Sequence, residues 1–169
     1  MNPDEKKVEE IDLEILNILD NDARISSCDM AVMLNVSEDY VNARIKSLKD
    51  SGIIRQFKTV IDWKRARCEK VYAVIQVKVV PQEREGFANI GKEISKDSRV
   101  VGVYVASGDY DLMVFVQGSH IDEISDFTTE KLAPKKEVVG TNTHIILKIF
   151  KKDGVKFFED EVERLKISL

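Results

Sequence analysis

The sequence is poor in the residues that build covalent, metal and phosphate-binding sites. It has two cysteines, two histidines and eight glycines among 169 residues. Cys28 and Cys68 lie too far apart for a zinc motif or a disulfide framework, and neither His120 nor His144 stands in a His-Glu-x-x-His motif. No Walker loop or Gly-x-Gly-x-x-Gly run is present. We therefore expect two reduced thiols, no metal and no cofactor.

Long apolar runs are also missing. No stretch approaches the roughly 18 apolar residues that a membrane-spanning helix needs. Residues 1–7 are mostly polar and lack the apolar core of a secretory signal. These absences predict a cytoplasmic protein without a membrane partner.

The composition is that of a globular protein. Charged residues make up 33% of the chain and hydrophobic residues 43%. The length allows one domain or two small ones. The net charge of −4 excludes a uniformly basic nucleic-acid coat but leaves room for a local basic face.

Three helices are predicted in the first sixty residues. Asp12, Ser26 and Ser37 suit their N-caps, and Asn35 suits a tight turn between the second and third helices. The apolar faces are Ile15, Leu16 and Leu19, then Met30, Met33 and Leu34, then Val41, Ile45 and Leu48. Two short helices joined by a turn form a helix-turn-helix. This pattern favours DNA binding, and a structural or protein-binding helix pair is the alternative.

Near residue 71 the spacing of the apolar residues changes from a helical repeat to the alternation of a strand. Strands are predicted over 71–79, 100–106, 112–116 and 143–149. The helices between them carry Phe87, Ile90 and Ile94 in one case and Ile121, Ile124, Thr128 and Leu132 in the other. The order β-α-β-β-α-β is ferredoxin-like. A last helix is predicted after Gly154, with Phe158, Val162 and Leu165 on one side.

The predicted fold class is therefore α+β with two domains. Residues 1–62 form a helix-turn-helix (winged-helix-like) domain, 63–70 a basic linker, 71–152 a ferredoxin-like domain and 153–169 a C-terminal helix. The helices cover one face of such a sheet. The candidates for the open face include Tyr72, Val74 and Val80, which are apolar, so we expect a homo-oligomer that buries this face about a two-fold axis.

Several local motifs resemble the Lrp/AsnC family, the feast/famine transcription regulators. The matches are Ile11-Asp12 with Ile15-Leu16, Arg24-Ile25-Ser26, the run from Val36-Ser37 to Arg44-Ile45 and Leu48, and Ser51-Gly52-Ile53-Ile54. Gly108-Asp109-Tyr110-Asp111 matches the family's Gly-x-x-Asp feature. The resemblance covers residues 8–152 and leaves the predicted C-terminal helix outside.

The resemblance implies a transcription regulator that is not an enzyme. Its first domain would bind double-stranded DNA as a homodimer. Its second would bind a small-molecule effector, an amino acid or a related compound, and drive assembly up to an octamer. Two alternatives remain, since fold does not fix function. One is an effector-binding protein whose helix-turn-helix meets a protein partner. The other is a tetrapyrrole decarboxylase-like enzyme, for which His120 and His144 are the available histidines.

Charge and helical phase select the candidate DNA-binding residues. Between Val8 and Asp62 acids outnumber bases eleven to six, but the stretch from Arg44 to Arg67 is strongly basic. Asn42 can pair with adenine, Lys46 can reach guanine and Ala43 can touch a thymine methyl group. Glu38 and Asp39 are in the first turn, where the helix dipole favours acids. Alternatively, they accept hydrogen bonds from cytosine amino groups or weaken binding by facing phosphates. The full set is Ser37, Asp39, Asn42, Ala43, Arg44, Lys46, Lys49, Arg55 and Lys58.

An effector site is predicted at the turn between the second and third strands. Gly108 has no side chain, so backbone amides there can approach a ligand carboxylate closely. Asp111 suits an ammonium group. The resemblance places effectors near this turn. The candidate residues are Ser107, Gly108, Asp109, Asp111, Thr141 and Thr143.

Overall fold

The structure, a computed structural model, describes residues 9–80 and 86–159 and divides into two compact units. The first unit ends at Val60 and the second begins at Ile61. The division lies two residues before the predicted boundary, and the predicted linker belongs to the second unit. No helix among the described residues is long and apolar enough to cross a membrane.

The first unit contains three helices, α1 (Glu10–Asn21), α2 (Ser27–Leu34) and α3 (Glu38–Asp50). Ser26 Oγ accepts from Asp29 N at 3.0 Å and Ser37 Oγ accepts from Tyr40 N at 3.2 Å, which confirms both predicted N-caps. Asn35 is left-handed at φ 53°, as the turn between α2 and α3 requires. The buried core is Ile15, Leu19, Met30, Ala31, Val41 and Leu48. The stretch 51–70, all of it described, contains no strand.

Two details of the predicted helices are wrong. The N-cap of α1 is Glu9, and Asp12 is the N3 residue of a capping box, with Glu9 N donating to Asp12 Oδ2 at 3.1 Å. A long-range partner of Asp12, described below, favours this arrangement. Met33 was placed on the buried face of α2 but is 63% exposed, because Met30 and Ala31 already fill the contact with the other helices.

The second unit contains a four-stranded antiparallel sheet. Its strands are β1 (Val71–Val79), β2 (Val100–Val105), β3 (Leu112–Gly118) and β4 (Val138–Ile145), in the order β2-β3-β1-β4. This is the predicted ferredoxin-like arrangement. β4 begins and ends earlier than the predicted 143–149. Because β1 begins at Val71, a strand running past Ile146 would have no neighbour to pair with.

Two helical segments cover one face of the sheet, α4 (Ala88–Ile94) and α5 (Ile121–Asp126), which continues as a π-helical turn over Phe127–Leu132. The predicted face put Ile121 and Thr128 inward, but Ile121 is exposed and Phe127 is buried. The wider π-helical repeat brings Phe127 and Leu132, five residues apart, onto the same buried side.

The end of the described chain is a hairpin and not a helix. Strands β5 (Lys151–Lys152) and β6 (Val155–Lys156) pair across a turn at Asp153-Gly154, where both residues have positive φ. The predicted C-terminal helix is therefore wrong for residues 153–159, because this left-handed turn reverses the chain. The rest of it, 160–169, lies outside the described residues.

The sheet face away from the helices carries the apolar side chains that the alternation of β1 predicts. Tyr72 and Val74 lie there on β1, beside Phe115 of β3 and Tyr104 of β2. Tyr104 and Phe115 make an edge-to-face contact with centroids 5.5 Å apart, and Tyr104 is 59% exposed. An apolar, half-open sheet face of this kind is typical of an interface.

Candidate nucleic-acid interface and effector site

Helix α3 presents the surface that was predicted to face DNA. Val41 and Leu48 are buried, and Asn42, Ala43 and Lys46 are exposed. The helical phase deduced from the sequence is therefore confirmed. The roles of these side chains in reading bases stay predictions.

The start of α3 is acidic. Ser37 uses its hydroxyl oxygen to cap the helix, so this predicted DNA-binding residue already has a structural role. Glu38 and Asp39 are exposed in the first turn. Both carboxylates therefore interact favourably with the positive end of the helix dipole. Their roles toward bases and phosphates stay predictions.

Two candidate base-reading side chains have partners within the first unit. Ser27 Oγ donates to Asn42 Oδ1 at 2.6 Å and so joins the start of α2 to the exposed face of α3. Lys46 Nζ donates to Asp50 Oδ2 at 2.6 Å in an exposed i,i+4 pair. Contacts of Asn42 Oδ1 or Lys46 with a base would replace these bonds, which are worth about 1 kcal/mol each at such exposure.

Arg44 is the predicted DNA-binding residue whose environment differs most from the prediction. Its Nε donates to Asp12 Oδ1 at 2.7 Å, and a second guanidinium nitrogen contacts Asp12 Oδ2. Glu9 Oε1 lies 3.5 Å from the guanidinium. Asp12 is only 2% exposed, so this bidentate pair joins α1 to α3 inside the unit. Arg44 thus acts as a structural residue whose charge is neutralised.

The hydrogen bond from Arg44 holds the pKa of the Asp12 carboxyl below its ordinary value, against the opposing effect of burial. The sequence carried a signal for this pair. Position 44 lies beside the core-facing positions 41, 45 and 48 of the same helix, so a long side chain there points along the seam and not toward DNA.

The other predicted phosphate-binding cations are exposed. Lys49 Nζ lies 5.7 Å from the centre of the Phe57 ring, and Arg55 and Lys58 follow in the segment after α3. Lys49 also lies in the last turn of α3, where a cation suits the helix dipole. The available basic surface therefore runs from the end of α3 into residues 55–58.

The predicted effector turn has the expected open backbone. Gly108 has φ +133°, and no atom lies within 4 Å of the position that a Cβ would take. Ser107 and Asp109 are exposed on either side of it. Asp111 differs from the prediction, because its carboxylate already accepts from Val79 N at 3.0 Å and lies 3.4 Å from Lys78 Nζ.

Of the two predicted threonines, only Thr141 lies near the end of the sheet that holds this turn. Thr141 pairs with Val77 and Thr143 with Ile75, so both lie on the helix-covered side of β4. Strand β1 separates β4 from β3, which places β4 about 10 Å from the strand that carries Asp111. The structure brings Thr141 to the end of the sheet and leaves Thr143 two residues further inside.

The remaining chemistry-bearing residues are dispersed. His144 lies on β4 with Nε2 3.2 Å from Gln76 Oε1, and His120 precedes α5. No group of three metal-ligating side chains occurs within residues 9–80 and 86–159. Cys28 and Cys68 are both exposed thiols.

Comparison with known families matches both units. Residues 8–55 match a winged helix-turn-helix DNA-binding domain, and residues 72–155 match the Lrp/AsnC ligand-binding domain. The second match covers the sheet, its helices and the effector turn.

Similar proteins agree with these matches. The chain is 36% identical over 165 residues to the HTH-type transcriptional regulator YugG of Bacillus subtilis, covering 96% of this chain and 99% of that protein. It is 36% identical over 141 residues to the HTH-type transcriptional regulator LysM of Saccharolobus solfataricus, covering 83% and 94%. The fold is shared with transcriptional regulator NMB0573 of Neisseria meningitidis, solved with L-Met, at a TM-score of 0.69 and 19% identity over 86% and 94% of the two chains.

The Asp12–Arg44 pair generates a prediction about stability. Arg44→Ala leaves a buried carboxylate without its partner, which costs about 3 kcal/mol of unfolding free energy at neutral pH. Urea unfolding followed by the helical circular dichroism signal measures this cost. Because the pKa of Asp12 is lowered in the folded protein, the stabilising effect of the pair is lost as the pH falls through that value. The difference between wild type and variant should therefore shrink on acidification.

The matched control is Arg24→Ala, which removes an exposed arginine of the same unit. It should change the unfolding free energy by less than about 0.5 kcal/mol. An Arg44→Ala cost as small as that of the control, or one independent of pH, contradicts the structural role of the pair.

Proposed function

Because this chain belongs to the Lrp/AsnC family of helix-turn-helix transcriptional regulators with a ligand-binding domain, we propose that it binds specific DNA sites as a homodimer or a larger assembly. An amino acid would regulate that assembly or the DNA binding. The protein would act in the cytoplasm and would not be an enzyme. The relatives cited above are named as transcriptional regulators, which supports this proposal over the decarboxylase alternative.

The observation that carries the proposal is the exposed face of α3. The helix is fixed from behind by a buried core and the Asp12–Arg44 pair, and its outer face offers Asn42, Ala43 and Lys46. A rigid helix whose exposed side bears short polar and cationic groups fits the major groove, where base edges present donors, acceptors and the thymine methyl group.

Affinity would come from the basic segment at the end of α3. Lys46, Lys49, Arg55 and Lys58 are exposed in a unit whose net charge is negative. Cations that contact phosphates release counterions, so binding weakens steeply with salt. The surrounding acids would repel DNA that approaches the unit by any other face.

We predict that the reversal Lys46→Glu, Lys49→Glu and Arg55→Glu abolishes detectable DNA binding, while the wild type loses affinity steeply as salt rises. Gel shift with recovered genomic fragments measures both. The control reverses Lys92, Lys96 and Lys136, three exposed lysines of the second unit, with the same change in net charge. DNA binding that ignores salt and survives the first reversal would mean that the recognition surface lies elsewhere.

The homodimer would form through the open face of the sheet. Val74, Tyr104 and Phe115 form an apolar surface on the side of the sheet away from the described helices α4 and α5. A second copy turned by a two-fold axis presents the same residues and buries both surfaces at once. Further association into octamers would use other surfaces of the dimer.

We predict a wild-type mass of at least two chains in light scattering at micromolar concentration. Tyr104→Lys should shift the protein toward monomer, because it places a charge in the centre of this surface. Ile121→Lys is the matched control, since Ile121 is 57% exposed but lies on the helix side. A folded wild-type monomer, or equal behaviour of both variants, contradicts the proposed interface.

The effector would bind at the turn around Gly108. The amides of Ser107, Gly108 and Asp109 suit a carboxylate, and the exposed Asp109 carboxylate suits an ammonium group. Asp111 would contribute less directly to effector binding, because its carboxylate already accepts a hydrogen bond from Val79 N and forms an ion pair with Lys78. Thr141 would extend the site along the same end of the sheet. The L-Met complex of a protein that shares this fold supports an amino acid as the ligand class.

We predict that calorimetry with the twenty amino acids detects binding of at least one, and that Gly108→Ala weakens it at least tenfold. The glycine has φ +133°, which an alanine rarely adopts, so the turn must change shape. Gly91→Ala is the control, because its added Cβ meets only one side-chain atom, at 4.0 Å. Heat from none of the amino acids, or unchanged binding by Gly108→Ala, contradicts the site. Asp111→Ala is less informative, since it also releases Val79 N.

A further inference from the structure

A second basic surface lies on the ligand-binding unit, where β1 begins and β4 ends. Its residues come from the segment before β1 and from the C-terminal hairpin, and we refer to it as the hairpin surface. Its cations are Lys64, Arg65, Arg67 and Lys70 before β1, and Lys148, Lys151, Lys152 and Lys156 in and next to the hairpin. Four acids accompany these eight cations in residues 62–70 and 147–159, in a chain whose net charge is −4.

Direct contacts join the two segments. Arg65 donates to Glu159 Oε1 at 2.7 Å, and Lys152 Nζ lies 4.9 Å from the centre of the Tyr72 ring. Phe157 N donates to Phe150 O at 2.9 Å, which extends the pairing of the hairpin. The contact of Arg65 with Glu159 joins the segment before β1 to the hairpin, and Lys152 packs on the start of β1. This end of the sheet is opposite the end that holds Gly108, since β1 runs from Val71 here to Val79 there.

The hairpin places like charges directly opposite each other. Lys151 and Lys156 are cross-strand partners, and Lys152 follows Lys151 on the same strand. Like charges in facing positions destabilise a two-stranded sheet, and a two-residue strand pair has little other stability. Such a local conflict is typical of a site kept for function, because a bound anion removes the repulsion.

Aromatic rings lie among these lysines. Lys148 Nζ is 4.5 Å from the centre of the Phe150 ring and Lys156 Nζ is 5.5 Å from that of Phe158. The two rings meet edge to face at 6.5 Å, and both are about half exposed, at 58% and 47%. The ammonium groups of Lys148 and Lys156 therefore lie over half-exposed ring faces, a cation–π arrangement that holds both charges at the surface. Lysine is a point charge on a flexible stem, which suits phosphate without reading base sequence.

We propose that the hairpin surface binds the phosphate backbone of duplex DNA, independently of sequence, as a second DNA contact of this regulator. The inference rests on the proposed function, since DNA is the polyanion that α3 would bring to the protein. Lys148, Lys151 and Lys152 would each neutralise a phosphate. The contact adds affinity and salt dependence and leaves the choice of site to α3.

The test uses the full chain and one genomic fragment that the wild type binds. Lys148, Lys151 and Lys152 are changed together to Gln, and the slope of log affinity against log salt is measured by fluorescence anisotropy. Each lost phosphate contact lowers the slope by about one, so the triple variant should lose about three and bind more weakly at every salt concentration. Thermal unfolding and the emission of Trp63, the single tryptophan, verify that the variant is folded.

The control changes Lys92, Lys96 and Lys136 to Gln, which alters the net charge equally but lies outside the hairpin surface. An unchanged slope in the hairpin variant, or an equal loss in the control, overturns the inference while the proposed function stands. An unchanged slope with an altered mass in light scattering shows a protein interface and also overturns it. A wild type that binds no genomic fragment overturns both proposals.

Discussion

The ion pair between Asp12 and Arg44 is the interaction on which the geometry of the DNA-binding unit depends. Helix α2 has only eight residues, and six buried hydrophobic side chains form the core of the unit among its described residues 9–60. The pair joins the first turn of α1 to the middle of α3, and among residues 9–80 and 86–159 Asp12 is the one buried charged side chain. The pair orients α3 so that Asn42, Ala43 and Lys46 are exposed together. It also engages a cation that the basic character of the stretch from Arg44 to Arg67 had assigned to DNA.

Three different parts of the sheet carry the three surfaces proposed for the ligand-binding unit. The open face carries the apolar residues proposed for the dimer, and one end of the sheet carries the open turn at Gly108. The opposite end carries the hairpin surface with its facing lysines. Because β1 is central and reaches both ends, a ligand that shifts one end of this strand acts on the element that the other surfaces share. In the proposed function, β1 would couple the effector turn to the dimer face and to the hairpin surface.

The regular elements could be predicted from sequence because their patterns are local. Alternation along β1 and β3 identified the buried valines, and Ser26, Ser37 and Asn35 marked the caps and turn correctly. The errors arise where the local structure is determined by a contact with a distant residue or by an irregular backbone. The local sequence predicts Asp12 as an N-cap, but in the structure Asp12 is the N3 residue and pairs with Arg44, 32 residues away. The buried position of Phe127 was not predicted, because a π-helical turn interrupts the regular helical spacing. The hairpin that begins at Lys151 was not predicted, because Phe158, Val162 and Leu165 have the spacing of an apolar helix face.

The sequence predicts the candidate sites about as far as it predicts the helices and strands. The exposed face of α3 and the open turn at Gly108 follow from phase and from the lack of a side chain, both local properties. The internal partners of Asn42, Arg44 and Asp111 depend on how the elements pack, which the local sequence pattern does not reveal.

The central claim is that a symmetric dimer presents two copies of α3 to DNA. The most direct test is selection of bound fragments from sheared genomic DNA with and without mixed amino acids. The account predicts an enriched inverted repeat whose half-sites lie about one or more helical turns apart, with recovery changed by amino acids. Recovery of fragments without a shared or symmetric motif would contradict it.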